Sequence, residues 1–285
     1  MTNNLTRWIP GTFFFHNRDS HWQDVVNNGG QTNMNDIRSD WPEQDQMMKY
    51  AAMAKQFMNK PFSNPNDIVG NYEWHEQFPY EEGLMPKTEQ PIEIALDFGC
   101  GTGRMIKRMK KLIKRVDGAD ISSFALEYAA SILPDSQFYE TSGIDLGATP
   151  PDTYDLIYST ISFQHIASRT IRDNILSHMA YSLKKGGYVS IQMAYHPTYV
   201  GQRWSHDTVH TTYNNDFWNA EGTNGHSDYS LNANDLPMLQ LDFEKYFENI
   251  RINLIDVSQK YANLNGAYHA PYWPTDWLFI QGQKK

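Results

Sequence analysis

One cysteine in 285 residues excludes an intramolecular disulfide and makes a reducing cytosol the expected setting. No apolar run is long enough to span a bilayer, and Met1-Thr2-Asn3-Asn4 lacks the basic-then-apolar pattern of a secretory leader. Positive charge is scarce as well: 24 Lys and Arg stand against 33 Asp and Glu, for a formal net charge of −9. That balance argues against nonspecific affinity for a polyanion, because phosphate recognition needs clustered cations. No internal repeat is visible. What remains is a soluble, cytoplasmic chain, long enough to bury a full core and rich in aromatic residues.

Composition separates three regions, 1–90, 91–193 and 195–237, which group into two domains. Residues 1–90 are rich in Asn, Gln, Trp and Met and read as an N-terminal cap. One helix is expected there: Asp40 and Glu43 have capping-box spacing, Pro42 suits a first turn, and Met47, Ala51, Ala54 and Met58 form an apolar stripe. Residues 91–285 read as the main domain. Within it, residues 195–237 turn polar and aromatic with little periodicity, as a lid insertion would.

The middle of the chain alternates strand-like and helix-like runs, the pattern of βαβ units on a parallel sheet. Strands are predicted at 92–97, up to Asp120, at 137–141, at 154–159 and at 188–193, with two more at 250–257 and 277–281. A helix is predicted from Gly103 to about Val116, burying Met105, Ile106, Met109, Leu112 and Ile113. Ser122 or Ser123 caps the next helix. Ser168 caps a third, in which Ile171, Ile175, Met179 and Leu183 recur at helical spacing. Lys184-Lys185-Gly186-Gly187 supplies its stop.

Chemistry concentrates in Asp97-Phe98-Gly99-Cys100-Gly101-Thr102-Gly103, which closes an apolar run and opens a helix. Alternate glycines let the backbone take positive φ and let a ligand approach the main chain. The helix start offers free N–H groups. A dinucleotide fingerprint would need a third glycine where Arg104 stands, and no GxxxxGK[ST] phosphate loop is present. Asp120, at the end of the second predicted strand, suits either an adenosine ribose or a helix N-cap; the upstream glycine loop favours the ribose.

The order LDFGCGTGR, GADIS, FYETSGIDL, YDLIYST-ISFQHI and LKKGGYVSIQM, over residues 92–193, resembles the small-molecule type of class I S-adenosylmethionine-dependent methyltransferase. The resemblance implies an α/β Rossmann-like, doubly wound sheet of seven strands, mostly parallel, with an antiparallel last strand. By position it implies that Asp97, Gly99, Cys100, Gly101 and Gly103 hold the methionine portion of S-adenosylmethionine. Asp120 would hold the ribose, with Ile121 against the adenine. Ser142, Gly143 and Ile144 would line the adenine pocket, Ser142 standing where many members have Asp. Ser159 and Thr160 would lie near the sulfonium, and the product would be S-adenosylhomocysteine.

His165, after the fourth strand, and His196, after the fifth, are the candidate bases or substrate contacts; either also serves as a loop-fixing residue. His206 and His210 have zinc-compatible spacing but no third ligand, and read as loop histidines, so no metal site is expected. Cys100 reads as a small packing residue inside its loop. The rings of Trp8, Trp22, Trp41, Trp74, Trp204, Trp218, Tyr229 and Trp273 suggest an enclosed site or the packing of a cap. Lys107, Arg108, Lys110, Lys111, Lys114 and Arg115 read as a solvated helix face.

Absent motifs narrow the acceptor. Ser159-Thr160-Ile161-Ser162 stands where amino methyltransferases of the adenine type carry Asn/Asp-Pro-Pro-aromatic. No nucleophilic cysteine, glutamate pair or magnesium-binding acids follow the fourth strand. The expectation is metal-independent methyl transfer to oxygen or nitrogen of a small molecule. The alternatives are an RNA or protein methyltransferase, docking through the 104–115 helix, and a non-catalytic S-adenosylmethionine-binding partner.

Overall fold

The computed structural model describes Lys55 and residues 78–166, 169–195, 231–257 and 276–285. The described chain opens with helix α1 (Tyr80–Leu84) and continues β1 (Ile94–Phe98), α2 (Arg104–Met109), β2 (Arg115–Asp120), α3 (Ser123–Ile132) and β3 (Phe138–Glu140). Strand β4 (Tyr154–Ser159) leads through a 3-10 turn, Phe163–His165, to α4 (Arg169–Ser182) and β5 (Leu183–Tyr195). Helix α5 (Leu236–Glu244), β6 (Phe247–Asp256) and β7 (Asp276–Lys284) follow.

The strands form one seven-stranded sheet in the order β3-β2-β1-β4-β5-β7-β6. Strands β1 to β5 pair in parallel. Strand β7 inserts between β5 and β6, antiparallel to both. This is the doubly wound architecture expected from the sequence, and its strand order reverses between β1 and β4, where such sheets bind ligands.

Both faces of the sheet are covered, which is why its central strands read as continuous apolar runs. On one face Leu96, Ile157, Val189, Ile191 and Ile280 pack with Ile171, Ile175 and Met179 of α4 and with Leu239 and Phe243 of α5. On the other, Ala95, Leu156, Trp277 and Phe279 pack with Met105, Ile106 and Met109 of α2 and with Tyr80 and Leu84 of α1. Phe78 stacks on Trp277 at 4.4 Å between ring centroids, and Tyr80 lies 4.5 Å from the same ring. Gly83 belongs at this seam, because a Cβ there would stand 2.4 Å from the Phe279 ring.

The helix predicted to reach Val116 ends at Met109. Ile113 is still buried, but Leu112 is 55% exposed. Parallel pairing of Arg115–Ala119 with Ile94–Phe98 claims the residues that local helical periodicity assigned to the helix. The basic run is not uniformly solvated either. Arg108 forms a two-pronged ion pair with Glu81 of α1 and donates to the Phe78 carbonyl at 2.6 Å. Arg115 forms a two-pronged pair with the buried Asp117.

Strand β5 begins at Leu183, earlier than the predicted Tyr188. Leu183 pairs with Tyr154 before a register shift that carries the Lys-Lys-Gly-Gly segment. Ser122 is the N-cap of α3, its hydroxyl accepting the Ala125 amide at 3.3 Å. The expected helix around Met47–Met58, apart from Lys55, the cap Ser168 and most of the 195–237 segment lie outside the described residues. The named tryptophans with Tyr229, His196, and the pair His206 and His210 lie outside them too.

Candidate functional site

The loop after β1 turns back on β2 through two amides: Gly99 and Cys100 both donate to the Ala119 carbonyl, at 2.7 and 3.1 Å. Gly99 sits at φ 73° and Gly103 at φ 82°, backbone that an L side chain takes only with strain. Space forbids a side chain as well. A Cβ on Gly99 would lie 2.2 Å from the Ser162 hydroxyl, and one on Gly103 would lie 2.6 Å from Leu133. Cys100 is buried beneath the loop against Gly118, and burial pushes its thiol well above the usual range. Such a thiol packs rather than attacks.

Two acids frame this loop. Asp120, at the end of β2, is buried and accepts the Gly101 amide at 2.8 Å and the Ser122 amide at 2.9 Å. Burial pushes its carboxyl up to about 6, against the opposing pull of these amides and that of Ile121. Each oxygen keeps a lone pair for a further donor.

Asp97 is buried in β1, and neither of its oxygens has a hydrogen-bond partner. Burial raises its carboxyl well above the usual range, and the Asp120 charge raises it further. The Tyr158 hydroxyl on β4 lowers it. Tyr158 stands level with Asp97 across the β1–β4 pair, and its own hydroxyl makes no hydrogen bond by geometry. A buried, unpartnered carboxylate beside a glycine loop is costly to the fold alone. It suits a ligand that brings a cation.

The segment after β3 forms a second wall. Thr141 donates its amide to the Asp120 carbonyl at 2.9 Å, so this wall is tied to β2. Ser142, Gly143 and Ile144 are half-buried. The Ser142 and Gly147 amides both donate to the Asp145 carboxylate, at 3.0 and 2.9 Å. Asn174 of α4 donates to the Ile144 carbonyl. Asp145 thus shapes this loop, a role the sequence reading missed. Its signal was local: an Asp placed to cap its own turn two residues before a glycine.

At the end of β4, Ser159 is fully buried with an unpartnered hydroxyl, and Thr160 is buried beside it. The His165 backbone ends the 3-10 turn that follows. Asp97, Asp120 and Ser159, at the ends of β1, β2 and β4, and the glycines and the 142–144 segment, in the loops after β1 and β3, therefore come together around the strand-order reversal. Among the described residues, no group of three or more His, Cys, Asp or Glu is placed to hold a metal ion. No described helix is long and apolar enough to cross a membrane.

Residues 95–187, which carry all of these elements, match the family model described as methyltransferase domain. Over those residues the chain is similar to a methyltransferase domain.

The chain is 30% identical over 110 residues to an uncharacterized methyltransferase of Bacillus cytotoxicus, covering 39% of this chain and 51% of that one. An uncharacterized methyltransferase of Geobacillus kaustophilus is 27% identical over the same length and with the same coverage. The chain spans about half the length of the curated relatives it matches. Among solved structures, an S-adenosylmethionine-dependent methyltransferase from Mesorhizobium loti superposes with a TM-score of 0.51 at 16% identity, over 76% of this chain and 100% of that one. That likeness is one of fold.

Proposed function

We propose that the chain is an S-adenosylmethionine-dependent methyltransferase acting on oxygen or nitrogen of a small-molecule acceptor, without a metal, in the cytoplasm. The observation that carries the cofactor reading is the Asp97 carboxylate, buried with both oxygens unpartnered next to the glycine loop. An ammonium group would satisfy it, and the spare lone pairs of Asp120 would accept paired ribose hydroxyls. Ser142, Gly143 and Ile144, with Ile121, would flank the base, and Ser159 and Thr160 would face the reacting end. When bound, S-adenosylmethionine supplies a methyl group on a sulfonium, open to in-line displacement by a nucleophile.

The protein's task is then alignment of an acceptor atom with that end of the site. An acceptor that must lose a proton would need a base, and His165 and His196 are the candidates. The small-molecule reading rests on the motifs missing after β4 and on the basic run. Arg108 and Arg115 in that run are committed to internal carboxylates, which removes two cations from any RNA-docking face.

Calorimetric titration with S-adenosylmethionine and S-adenosylhomocysteine, with NAD as control and Asp97→Asn alongside, tests the cofactor. Micromolar binding of the first two, weakened at least about tenfold in the variant, is the expected result. Absent binding, or a preference for NAD, would overturn the reading. Acceptor class is then read from S-adenosylhomocysteine release with panels of small amines, phenols and carboxylic acids against total RNA. Turnover with RNA alone would overturn the small-molecule assignment.

A further inference from the structure

Gln192 lies on β5, two strands across the sheet from the glycine loop, and is fully buried. Asp97 is level with Tyr158, Tyr158 with Ser190, and Gln192 is the next residue on that face. Its side chain makes one hydrogen bond: Oε1 accepts the Ile161 amide at 2.8 Å, and Nε2 has no partner. A backbone N–H only donates, so this contact sets which way the side-chain amide points.

The residue it holds is out of the ordinary. Ile161 takes φ 63° although it is β-branched and buried. That conformation persists only where the surroundings over-determine it. The second restraint is the next residue. The Ser162 hydroxyl lies 3.1 Å from the Gly99 carbonyl and 3.3 Å from that of Thr160, as donor to both. Gly99 leaves the room this needs, since its missing Cβ would occupy the place of the Ser162 hydroxyl. A continuous chain of contacts therefore runs Gln192–Ile161–Ser162–Gly99, from β5 through the strained turn after β4 to the loop after β1.

We propose that Gln192 is a positioning residue for the glycine loop: by holding the Ile161 turn left-handed, it sets the Ser162 contact that places Gly99 for cofactor. This rests on the reading of the loop as the S-adenosylmethionine site. Gln192 touches neither cofactor nor acceptor in this account; it acts through the turn.

Two readouts on the same variants test it. Gln192→Met keeps the side-chain length and removes the acceptor oxygen, while Gln192→Glu keeps an oxygen facing Ile161. In ligand-free protein, backbone amide hydrogen exchange should speed up at Ile161–Phe163 and at Gly99–Cys100 in the Met variant only. S-adenosylhomocysteine affinity should fall about tenfold in that variant, the scale of one lost buried hydrogen bond, and stay within about threefold of wild type in the Glu variant. Ser162→Ala breaks the same chain one contact later and should reproduce the loss, including in the event that Gln192→Met does not fold.

Wild-type exchange and affinity in both Gln192→Met and Ser162→Ala would overturn the proposal. Equal losses in the Met and Glu variants would overturn it too, by shifting the role to Nε2. Should wild type fail to bind S-adenosylhomocysteine while the exchange pattern holds, the cofactor reading has failed and the role assigned to Gln192 goes with it. Failure of the exchange pattern alone, with wild-type binding intact, overturns only the Gln192 proposal.

Discussion

The Asp120 carboxylate accepts the Gly101 amide at 2.8 Å, joining the end of β2 to the middle of the loop that follows β1. Its other oxygen accepts the Ser122 amide, at the start of α3. The acid proposed to hold the ribose is thus also the post on which the glycine loop hangs. A substitution there removes the proposed binding role and the structural role together.

Asp120→Asn should therefore lose on both counts. Asparagine keeps one carbonyl oxygen but turns an N–H toward one of the two amides. Leaving a buried backbone donor unmet costs about 1–3 kcal/mol, to be read from urea unfolding. S-adenosylhomocysteine affinity should drop at least about tenfold in calorimetry. A variant with wild-type stability and affinity would refute the shared role.

Asp97→Asn should separate stability from function. Burial and the Asp120 charge hold the Asp97 carboxyl above its ordinary 3.8. Between that value and the raised one, the folded chain binds more protons than the unfolded chain, so stability falls as pH rises. At neutral pH the wild type carries this penalty and the amide variant does not. Its Tm should exceed wild type at pH 7.5, with the gap closing toward pH 4, while cofactor affinity declines. A lower Tm at pH 7.5 would refute the argument.

Cofactor affinity should itself depend on pH. Asp120 titrates at about 6 in the free protein, and only its ionised form offers every lone pair to ligand hydroxyls. Binding below that value must release a proton, so S-adenosylhomocysteine affinity should rise from pH 5 to pH 7. Calorimetry in two buffers of different ionisation heat would count the proton. Asp120→Asn should lower the slope and leave the part that comes from the raised Asp97 carboxyl, and an unchanged slope would assign the whole proton to Asp97.

Arg108→Ala should loosen α1 from the sheet. The guanidinium pairs with Glu81, donates to the Phe78 carbonyl at 2.6 Å and lies 5.4 Å over the Tyr80 ring. Glu81 is partly exposed, so the loss is set below that of a fully buried pair, at about 2 kcal/mol. Lysine should recover little of it, because it lacks the two-pronged fork. Unfolding curves and proteolysis near residues 78–84 would show the effect; a silent alanine variant would refute it.

How much was legible differs from element to element. The run ending at Asp97 predicted β1 from its apolar residues, while the strands ending at Asp120 and Ser159, with Asp117 and Asp155 inside them, were legible from their place in the alternation of strand-like and helix-like runs. The spacing of Gly99, Gly101 and Gly103 announced a tight loop, since only glycine takes those angles cheaply. The α2 helix was read too long: its stripe through Ile113 is a local pattern, and strand pairing at Arg115 is a non-local one that overrode it.

Tyr158 and Gln192 look in sequence like two polar interruptions of apolar strands, 34 residues apart. Parallel register brings them to one face of the sheet, beside an Asp97 whose want of a partner is visible only once every neighbour is in place. The sequence alone determined the order of strands, helices and glycine turns, because periodicity and backbone sterics act over a few residues. Tertiary structure alone decided which buried polar groups meet and which go unpartnered, because hydrogen bonding and desolvation depend on contacts that the chain makes only after it has folded.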